Sequence, residues 1–249
     1  MSLINGKVLQ RSGNVITDCH SHILPRIDDG SQSVQESIEL LKMEYQQGAG
    51  RVIATPHFYA SKYSVERFLA HRRESYENLL CGLEKEDRKY PEIYLGAEVY
   101  YFPGVGNAEH ISKLCLGESN YLLLEMPFCQ WDKEVLHDVT QLLERQKLKV
   151  VLAHLERYHE FQKKKEIWNE VMQLPVMIQL NADSLFKWKK KKFCLDVLKK
   201  FDQVVLGSDC HNISRRPPHM EEARQIILEK GNRSFLEKLD NSAKKIWQA

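Results

Sequence analysis

The sequence predicts an α/β fold in which short parallel strands alternate with single crossover helices. Several short apolar runs are nearly continuous in Val, Ile and Leu, which is typical of parallel strands buried on both faces. Segments with helical periodicity separate these runs, so that the strand–helix order occurs seven times along the chain. Histidines and carboxylates stand at the ends of most runs, which is where α/β barrels have their active sites.

The length of the chain, 249 residues, allows one large domain or two small ones. Barrels of about 250 residues fold as one unit. The sequence contains no linker, internal repeat or low-complexity tract. We therefore expect residues 1–249 to form a single domain.

The individual elements follow from the same patterns. Ser64 is expected to cap a helix whose apolar stripe extends over 65–83. Apolar residues at helical spacing predict a second helix around 135–143 and a third around 220–227, which stops near Gly231. The predicted strands are 14–20, 51–57, 92–99, 121–126, 149–154, 175–181 and 203–209.

Composition excludes several classes of function. The net charge of +2 gives little reason to expect a nucleic-acid partner. No run of about 18 apolar residues is present, so no membrane span is predicted, and the N-terminal segment lacks the features of a secretory signal. The cysteines are scattered without a C-x-x-C pair, so we expect reduced thiols and a cytoplasmic location.

The stretch "KWKKKKF" at 187–193 is a run of positive charge. Such a run usually forms a solvated helix face. A docking surface for an acidic partner or for a membrane is the alternative interpretation.

The polar residues at the strand ends predict a metal centre. Side chains alternate between faces along a strand, so His20 and His22 point the same way, as do Asp209 and His211. Asp18 shares the face of His20 and is a candidate to orient an imidazole. Carboxylates buried at strand ends are costly unless they are paired or bind cations. The candidate ligands are His20, His22, Asp29, His57, Glu98, Glu125, His154, Asp209 and His211.

This set is large enough for more than one ion. A single tetrahedral site needs about four ligands, so two or three ions are expected if a carboxylate bridges. Ligands that are nitrogen and oxygen, without thiolate, suit Mn²⁺, Fe²⁺ or Zn²⁺. Ions about 3.5–4 Å apart can share a hydroxide and clamp an in-line displacement at phosphorus.

The motifs "DCHSHILPRIDDG", "ATPH", "LGAEV", "LLLEMP", "LAHLERY" and "GSDCHN...RRPP" resemble, in order, those of the PHP (polymerase and histidinol phosphatase) superfamily. They are most similar to its bacterial protein-tyrosine phosphatase branch, the CpsB/YwqE-type enzymes that regulate capsule synthesis. The resemblance extends from Asp18 to Pro218 and implies a distorted (β/α)₇ TIM-like barrel, the PHP fold, with a trinuclear centre in which manganese is the expected metal. Arg26 stands where that branch commonly has glycine.

Carried over residue by residue, the resemblance implies how the ligands divide among three ions. Asp29 is the implied ligand rather than Asp28, because the second aspartate of "DDG" ligates in the family. Arg157 and Arg216 match family arginines placed near the phosphate. The implied groups are His20, His22, Glu98 and Asp209; Glu98, Glu125 and His154; and Asp29, His57 and His211.

The resemblance also implies an activity. A metal-bridging hydroxide would hydrolyse phosphotyrosine, on the tail of a membrane tyrosine autokinase that controls capsular or exopolysaccharide synthesis. A small-molecule phosphatase such as histidinol-phosphate phosphatase would share the metal chemistry and is the main alternative.

Three other activities are weaker alternatives. The near-neutral charge argues against a nuclease, and the complete ligand set argues against an inactive binding module. A cysteine phosphatase is disfavoured as well. Cys210 and Arg216 have the right spacing, but "CHNISRR" lacks the glycines of such a phosphate loop.

Overall fold

The computed structural model describes residues 15–247. Most of the N-terminal segment for which the sequence predicts no secretory signal lies outside the described residues, as does the first residue of the predicted strand 14–20. Between residues 15 and 247, no helix is both long and apolar enough to cross a membrane.

The strands form two parallel sheets. One sheet has the order β1-β2-β4 and the other has the order β3-β5-β6-β7-β8-β9. Every pairing in both sheets is parallel, as the apolar runs predict. The strands are β1 (Ile16–Ser21), β2 (Ala49–Ala54), β3 (His57–Phe58), β4 (Glu92–Leu95), β5 (Glu98–Tyr100), β6 (Tyr121–Glu125), β7 (Lys149–Leu152), β8 (Met177–Asn181) and β9 (Val204–Gly207).

Two of the predicted strands are each divided in two. The run at 51–57 becomes β2 and β3, and Pro56, which has no N–H to donate to a ladder, lies between them. The run at 92–99 becomes β4 and β5. Hydrogen bonds continue across the breaks, from the amide of Gly96 to the carbonyl of Ala54 (2.8 Å) and from that of Glu98 to the carbonyl of Pro56 (3.0 Å). As a result, His57 and Glu98 lie side by side in register.

The first and last strands also meet. Ser21 and Cys210 form an isolated parallel bridge. The amide of Asp209 donates to the carbonyl of His20 at 2.8 Å, and the amide of His22 donates to the carbonyl of Cys210 at 2.9 Å. These bonds bring the ligand motif at the start of the chain against the one near its end.

The helices agree with the predictions where these were made. The Ser64 hydroxyl accepts a hydrogen bond from the amide of Arg67 at 3.3 Å and caps α2, and α6 ends before Gly231. Asp132 caps α3 in the same way. The helices are α1 (Val34–Gln46), α2 (Val65–Leu83), α3 (Lys133–Glu144), α4 (Glu166–Val171), α5 (Trp188–Lys200), α6 (Met220–Lys230) and α7 (Arg233–Trp247).

A smaller apolar cluster contains residues from both sheets and from α7. It contains Cys19 of β1, Val151 of β7 and Val205 of β9, so Cys19 is a packing residue as expected. Ala243 and Ile246 of α7 belong to the same cluster. The larger part of the core lies between the six-stranded sheet and the helices that flank it.

Candidate metal centre

Two histidines of the first motif meet in the buried interior. His20 lies near the carboxyl end of β1, and His22 directly follows the strand. Both side chains are fully buried. Their Nε2 atoms are 3.1 Å apart. Each Nε2 also lies 3.2 Å from the same oxygen, Oε2 of Glu98. The period-two spacing of H-x-H therefore aims both rings at one carboxylate.

Glu98, at the start of β5, lies at the middle of the cluster. Its oxygens are 3.1 Å from Nδ1 of His57 and 2.9 Å from Nε2 of His154, in addition to the contacts with the first motif. Burial alone would raise the pKa of Glu98, but the imidazoles of His20 and His57 hold it well below its usual range. Glu125 completes this side, with one oxygen 3.4 Å from Nε2 of His154 and the other 3.7 Å from Nδ1 of His57.

Asp29 and Asp28 occupy different positions. Oδ1 of Asp29 is 3.6 Å from Nε2 of His57 and 3.6 Å from Nε2 of His211, and its side chain is 70% exposed. The side chain of Asp28 is only 4% exposed, and its Oδ2 accepts hydrogen bonds from Nδ1 of His22 (2.7 Å) and from the amide of His57 (3.0 Å). Asp28 therefore orients a histidine, whereas Asp29 faces the mouth.

Asp209 connects the histidines to the two predicted arginines. Its Oδ1 is 3.4 Å from Nε2 of His22, while its Oδ2 accepts from Arg157 at 2.9 Å and from Arg216 at 2.6 Å. Burial would raise the pKa of Asp209, but His20, His22 and the two arginines hold it well below its usual range. The backbone of Asp209 has φ 52°, and that of His154 has φ 30°. Such left-handed positions are costly for side-chain-bearing residues and are concentrated at functional sites.

The structure brings all the predicted ligands into one cluster, although their division differs in detail from the implied one. His57 groups with Glu98 and Glu125. His22 groups with Asp29, and it also remains with His20. The role of each residue as a ligand stays a prediction. Among the predicted ligands, the groups whose donor atoms all lie within 4.8 Å of one another are His22, Asp29, His57 and His211; His20, His22 and Glu98; and His57, Glu98 and Glu125. Outside these groups, Nε2 of His154 is 2.9 Å from Glu98, and Oδ1 of Asp209 is 3.4 Å from Nε2 of His22.

The donor set fits divalent cations. In the described part of the chain, Nε2 of His211 is buried without a hydrogen-bond partner, and Nδ1 of His57 lies 3.1 Å from Oε2 of Glu98 without a hydrogen bond between them. Burial and the neighbouring His22 lower the pKa of His211 to about 3, so its ring is neutral and keeps a free lone pair. Burial would lower the pKa of His154, but the carboxylates of Glu125 and Glu98 raise it to about 9. Nitrogen and carboxylate oxygen that converge in this way suit Mn²⁺, Fe²⁺ or Zn²⁺.

Sequence reasoning missed Gln179, in the middle of β8. Its Oε1 accepts from Nδ1 of His20 at 3.0 Å and from the amide of His154 at 2.6 Å. It thereby holds a ring from one strand and the backbone of another. The signal was present as a single glutamine inside an otherwise apolar run. Asn181, at the end of the same strand, donates to Oδ2 of Asp209 at 2.7 Å.

Asp18 does not orient an imidazole, contrary to expectation. Its carboxylate accepts from the Ser208 hydroxyl at 2.6 Å, from the Ser208 amide at 2.8 Å and from the His20 amide at 3.1 Å. Glu44 of α1 is fully buried against it, and neither oxygen of Glu44 has a hydrogen-bond donor in the described residues. Burial raises the pKa of both carboxyl groups.

Cys210 belongs to this same pocket. It is fully buried, and burial followed by the nearby Glu44 and Asp18 raises the pKa of its thiol well above the usual range. A protonated thiol without access to solvent cannot attack a phosphate ester. This geometry removes the cysteine-phosphatase alternative.

Two kinds of surface adjoin the centre. One is an aromatic arc, defined as Tyr59, Tyr100, Phe128 and Phe161, in which the Phe128 ring stacks 6.0 Å from that of His154. The other is a cavity of about 280 Å³ that the two arginines line. Its lining residues include Arg157, Asp183, Lys187, Asp209, Arg215 and Arg216.

Comparison with known proteins agrees with this architecture. The family model described as capsular polysaccharide synthesis, CpsB/CapC, matches residues 16–246. The tyrosine-protein phosphatase CpsB of Streptococcus pneumoniae is 31% identical over 225 residues, covering 86% of this chain and 90% of that protein. The tyrosine-protein phosphatase YwqE of Bacillus subtilis strain 168 is 30% identical over 219 residues, covering 84% and 83%.

Solved structures give the same result. A crystal structure from the work on YwqE of Bacillus subtilis and CpsB of Streptococcus pneumoniae, described as metal-dependent tyrosine phosphatases, superimposes with a TM-score of 0.82. It is 26% identical, and the match covers 94% of each chain. A TatD-family hydrolase from Entamoeba histolytica has a TM-score of 0.53 at 12% identity, covering 94% of this chain and 98% of that one, which shows similarity of fold alone.

Proposed function

The chain belongs to the CpsB/CapC family of capsular polysaccharide synthesis, and on that premise we propose that it is a metal-dependent protein-tyrosine phosphatase. One observation carries the proposal. The histidines and carboxylates that converge on Glu98 lie next to two arginines that share the carboxylate of Asp209. This combination offers cation ligands and phosphate ligands within a single mouth.

The arginines are suited to hold the phosphate. Arg157 and Arg216 each use one nitrogen on Oδ2 of Asp209, and both remain partly exposed towards the cavity. A guanidinium has further N–H groups in a planar fork, which can bond two phosphate oxygens at once. Asp209 therefore fixes the two forks at a set distance from the ligand cluster.

The ligand cluster would hold two or three ions. Its nitrogen and oxygen donors suit Mn²⁺, Fe²⁺ or Zn²⁺ alike, and manganese is the proposed metal because the family resemblance implies it. When bound, such ions supply Lewis acidity and acidify a water molecule. The chain itself orients the groups: Asp28 holds the His22 ring, and Gln179 holds the His20 ring. A phenol has a pKa near 10 and leaves more readily than an alkoxide, so protonation of the leaving group is less demanding.

The aromatic arc supports phosphotyrosine over a small alkyl phosphate such as histidinol phosphate. Tyr59 packs 5.2 Å from the His57 ring, and Phe128 packs on the His154 ring, so both stand beside the cluster. Aromatic pairs prefer offset or edge-on contacts at such centroid distances. When the phosphate of a substrate occupies the arginine site, the phenyl ring attached to it would contact this aromatic surface.

The proposal extends to architecture and partner. We take the two sheets as one distorted (β/α)₇ barrel, the PHP fold, within a single domain of residues 1–249, because backbone bonds cross both seams between the sheets. We propose a cytoplasmic location, supported by free cysteines at all the cysteine positions. A membrane tyrosine autokinase of the polysaccharide machinery is the proposed phosphoprotein, in line with the family description.

The test is phosphate release coupled to metal analysis. The protein is assayed on a phosphotyrosine peptide, on the matching phosphoserine peptide and on histidinol phosphate, before and after chelation. We expect turnover of the first substrate, loss on chelation, and recovery with Mn²⁺. Activity that persists in metal-free protein would overturn the mechanism, and preference for histidinol phosphate would overturn the substrate assignment.

A matched pair of variants tests the arginines. Arg216→Gln should lower kcat/KM for the phosphotyrosine peptide by about 10²-fold or more, as removal of one charge-stabilising donor does elsewhere. Lys89→Gln is the control, because Lys89 is exposed and precedes β4, at the opposite end of the strands. Equal activity of the two variants would contradict the proposed phosphate site.

A further inference from the structure

Positive charge is concentrated on one side of the mouth. Lys187 and Arg215 line the cavity that also contains Arg157 and Arg216, and both are exposed. Lys187 immediately precedes α5, whose first residues are "WKKKK". We call Lys187, Arg215 and the lysines at 189–192 the basic rim.

The start of α5 is electrostatically unusual. A helix N-terminus carries partial positive charge and favours acidic residues nearby, yet the first turn of α5 contains no acidic residue and has no side-chain cap. Trp188 there is 78% exposed. The lysines therefore add to the positive electrostatic potential of the helix N-terminus. Binding of anionic groups next to this segment would be favourable.

The carboxylates near the rim do not neutralise it. Asp183 accepts from Lys187 at 2.6 Å, and Glu222 accepts from His219 at 2.9 Å. The Lys187–Asp183 pair is exposed, and exposed pairs contribute little, so Lys187 can exchange its partner for another carboxylate. Arg215 and the lysines that follow Trp188 leave the balance positive.

We propose that the basic rim is a docking site for acidic residues that flank the phosphotyrosine of a substrate peptide. The inference rests on the proposed function and adds a sequence preference to it. The cavity gives the reason, because Arg215 and Lys187 share one concave surface with the two arginines that would hold the phosphate. A peptide whose phosphate reaches Arg157 and Arg216 must therefore pass its neighbouring residues along the rim.

The experiment compares two phosphotyrosine peptides of equal length, one with glutamates and one with glutamines around the phosphotyrosine. We expect kcat/KM to be about tenfold higher for the acidic peptide at low salt, because each exposed charged contact contributes a factor of about two to five. The ratio should approach one at high ionic strength, where exposed charges are screened. p-Nitrophenyl phosphate, which is too small to reach the rim, reports the chemical step alone.

Variants of Arg215 locate the effect. Arg215→Gln should reduce the acidic-to-neutral ratio about threefold, and Arg215→Glu should reduce it about tenfold, to near one. Lys89→Gln should leave the ratio as it is in the unmodified protein. Unchanged turnover of p-nitrophenyl phosphate by Arg215→Gln would confirm that the variant is folded and loaded with metal.

Two outcomes would overturn the proposal. One is an acidic-to-neutral ratio that is the same in the unmodified protein, in Arg215→Gln and in Arg215→Glu. The other is binding of the basic rim to vesicles containing anionic lipid, lost in Arg215→Glu, without any discrimination between the peptides. Failure of the proposed function is distinguishable, since it would abolish phosphotyrosine hydrolysis for both peptides.

Discussion

Two neighbouring aspartates illustrate how much a single position decides at the metal centre. Asp28 is buried and fixes the His22 ring, whereas Asp29 is mostly exposed and faces His57 and His211. The consecutive residues point in different directions because the chain turns sharply here, with Gly30 packed against the carbonyl of His22. Sequence alone offered two adjacent carboxylates and no geometric reason to separate them.

We expect the two aspartates to differ on substitution. Asp29→Asn should lower the metal content of the protein while leaving the melting temperature of the metal-free protein nearly unchanged, because its side chain is exposed. Asp28→Asn should weaken metal binding by about 10–100-fold, the usual effect of losing a group that orients a ligand, and should lower the free energy of unfolding by about 1–3 kcal/mol. Metal analysis with thermal denaturation measures both effects. The assignment fails if Asp28→Asn keeps full metal while Asp29→Asn loses stability.

Glu44 gives a prediction about pH. Burial, followed by the adjacent Asp18, raises its pKa well above the usual 4.5, so the folded protein keeps this carboxyl group neutral. The unfolded chain ionises it near its ordinary pKa. The contribution of the neutral Glu44 carboxyl to the free energy of unfolding is therefore fully present below the pKa of the unfolded chain. It is lost as pH rises from that value towards the higher pKa of the folded protein.

Glu44→Gln should remove this pH dependence. The amide has nearly the same shape as the carboxyl group and cannot ionise, so the free energy of unfolding should fall less steeply between about pH 5 and pH 7 than it does in the unmodified protein. Denaturant titrations at several pH values make the comparison, with the exposed Glu39→Gln on the same helix as the control. Identical slopes for all three proteins would show that Glu44 is ionised in the fold.

At the scale of elements, the seam between β1 and β9 depends on one glycine. A Cβ on Gly207 would lie 2.5 Å from Cβ of His20 and 2.8 Å from Nε2 of Gln179. The absence of a side chain lets β9 approach β1 closely enough for Ser208 to bond to Asp18. The ligands at the ends of both strands are held in place by that approach.

Gly207→Ala should push the two strands apart. We expect a loss of about 1–3 kcal/mol in unfolding free energy, the usual cost of overpacking, together with weaker metal binding. Gly48→Ala is the matched control, since Gly48 has φ 87° between α1 and β2 and meets only Ile16 at 3.4 Å. It should lose stability but keep its metal. If both variants retained metal equally, the close approach of β9 to β1 would not be what holds the metal ligands in place, and the prediction would be wrong.

Many of the strands and helices were predictable from the sequence. Every apolar run contains strand, and the helices assigned from capping and spacing begin and end where expected. The division of "RVIATPH" was not predicted, because its apolar character is continuous and only the missing N–H of Pro56 interrupts the ladder. Gln179 escaped for a related reason, since its partners His20 and His154 come from strands distant in sequence.

At the scale of the whole molecule, the fold distributes charge unevenly over the surface, whereas the composition gives only the net charge. A net charge of +2 suggests a neutral surface, yet folding gathers Lys187 and Arg215 at one cavity and brings aromatic rings against the ligand cluster. No sequence average contains this information, because it depends on which strand ends become neighbours. The predicted ligand cluster succeeded because the carboxyl ends of parallel strands share one edge.

The stability of the whole protein should depend on metal. The ligand cluster crowds ring nitrogens together, with Nε2 of His20 3.1 Å from Nε2 of His22, and cations would relieve this. A ligand present at about 100 times its Kd stabilises by about 2.7 kcal/mol, so chelation should lower Tm by about 5–10 °C for a chain of this length. Thermal denaturation with and without Mn²⁺ measures the shift, and an unchanged Tm would contradict the centre.

That stabilisation should itself vary with pH. The Glu125 and Glu98 carboxylates favour a proton on His154, whose pKa is raised to about 9 in the absence of a cation. Protons and metal compete for the same nitrogen, so metal binds more weakly as pH falls and releases protons when it binds. The Tm shift on adding Mn²⁺ should be larger at pH 8 than at pH 6.

The bond between Asp18 and Ser208 spans 190 positions of the chain. A ribosome that has completed α5 has already released His20, His22 and Glu98, but Asp209 and His211 are still to be translated. A nascent chain therefore cannot assemble the full ligand set, however long it pauses. Any activity that requires the set begins only after the last strand has been synthesised and has joined the first.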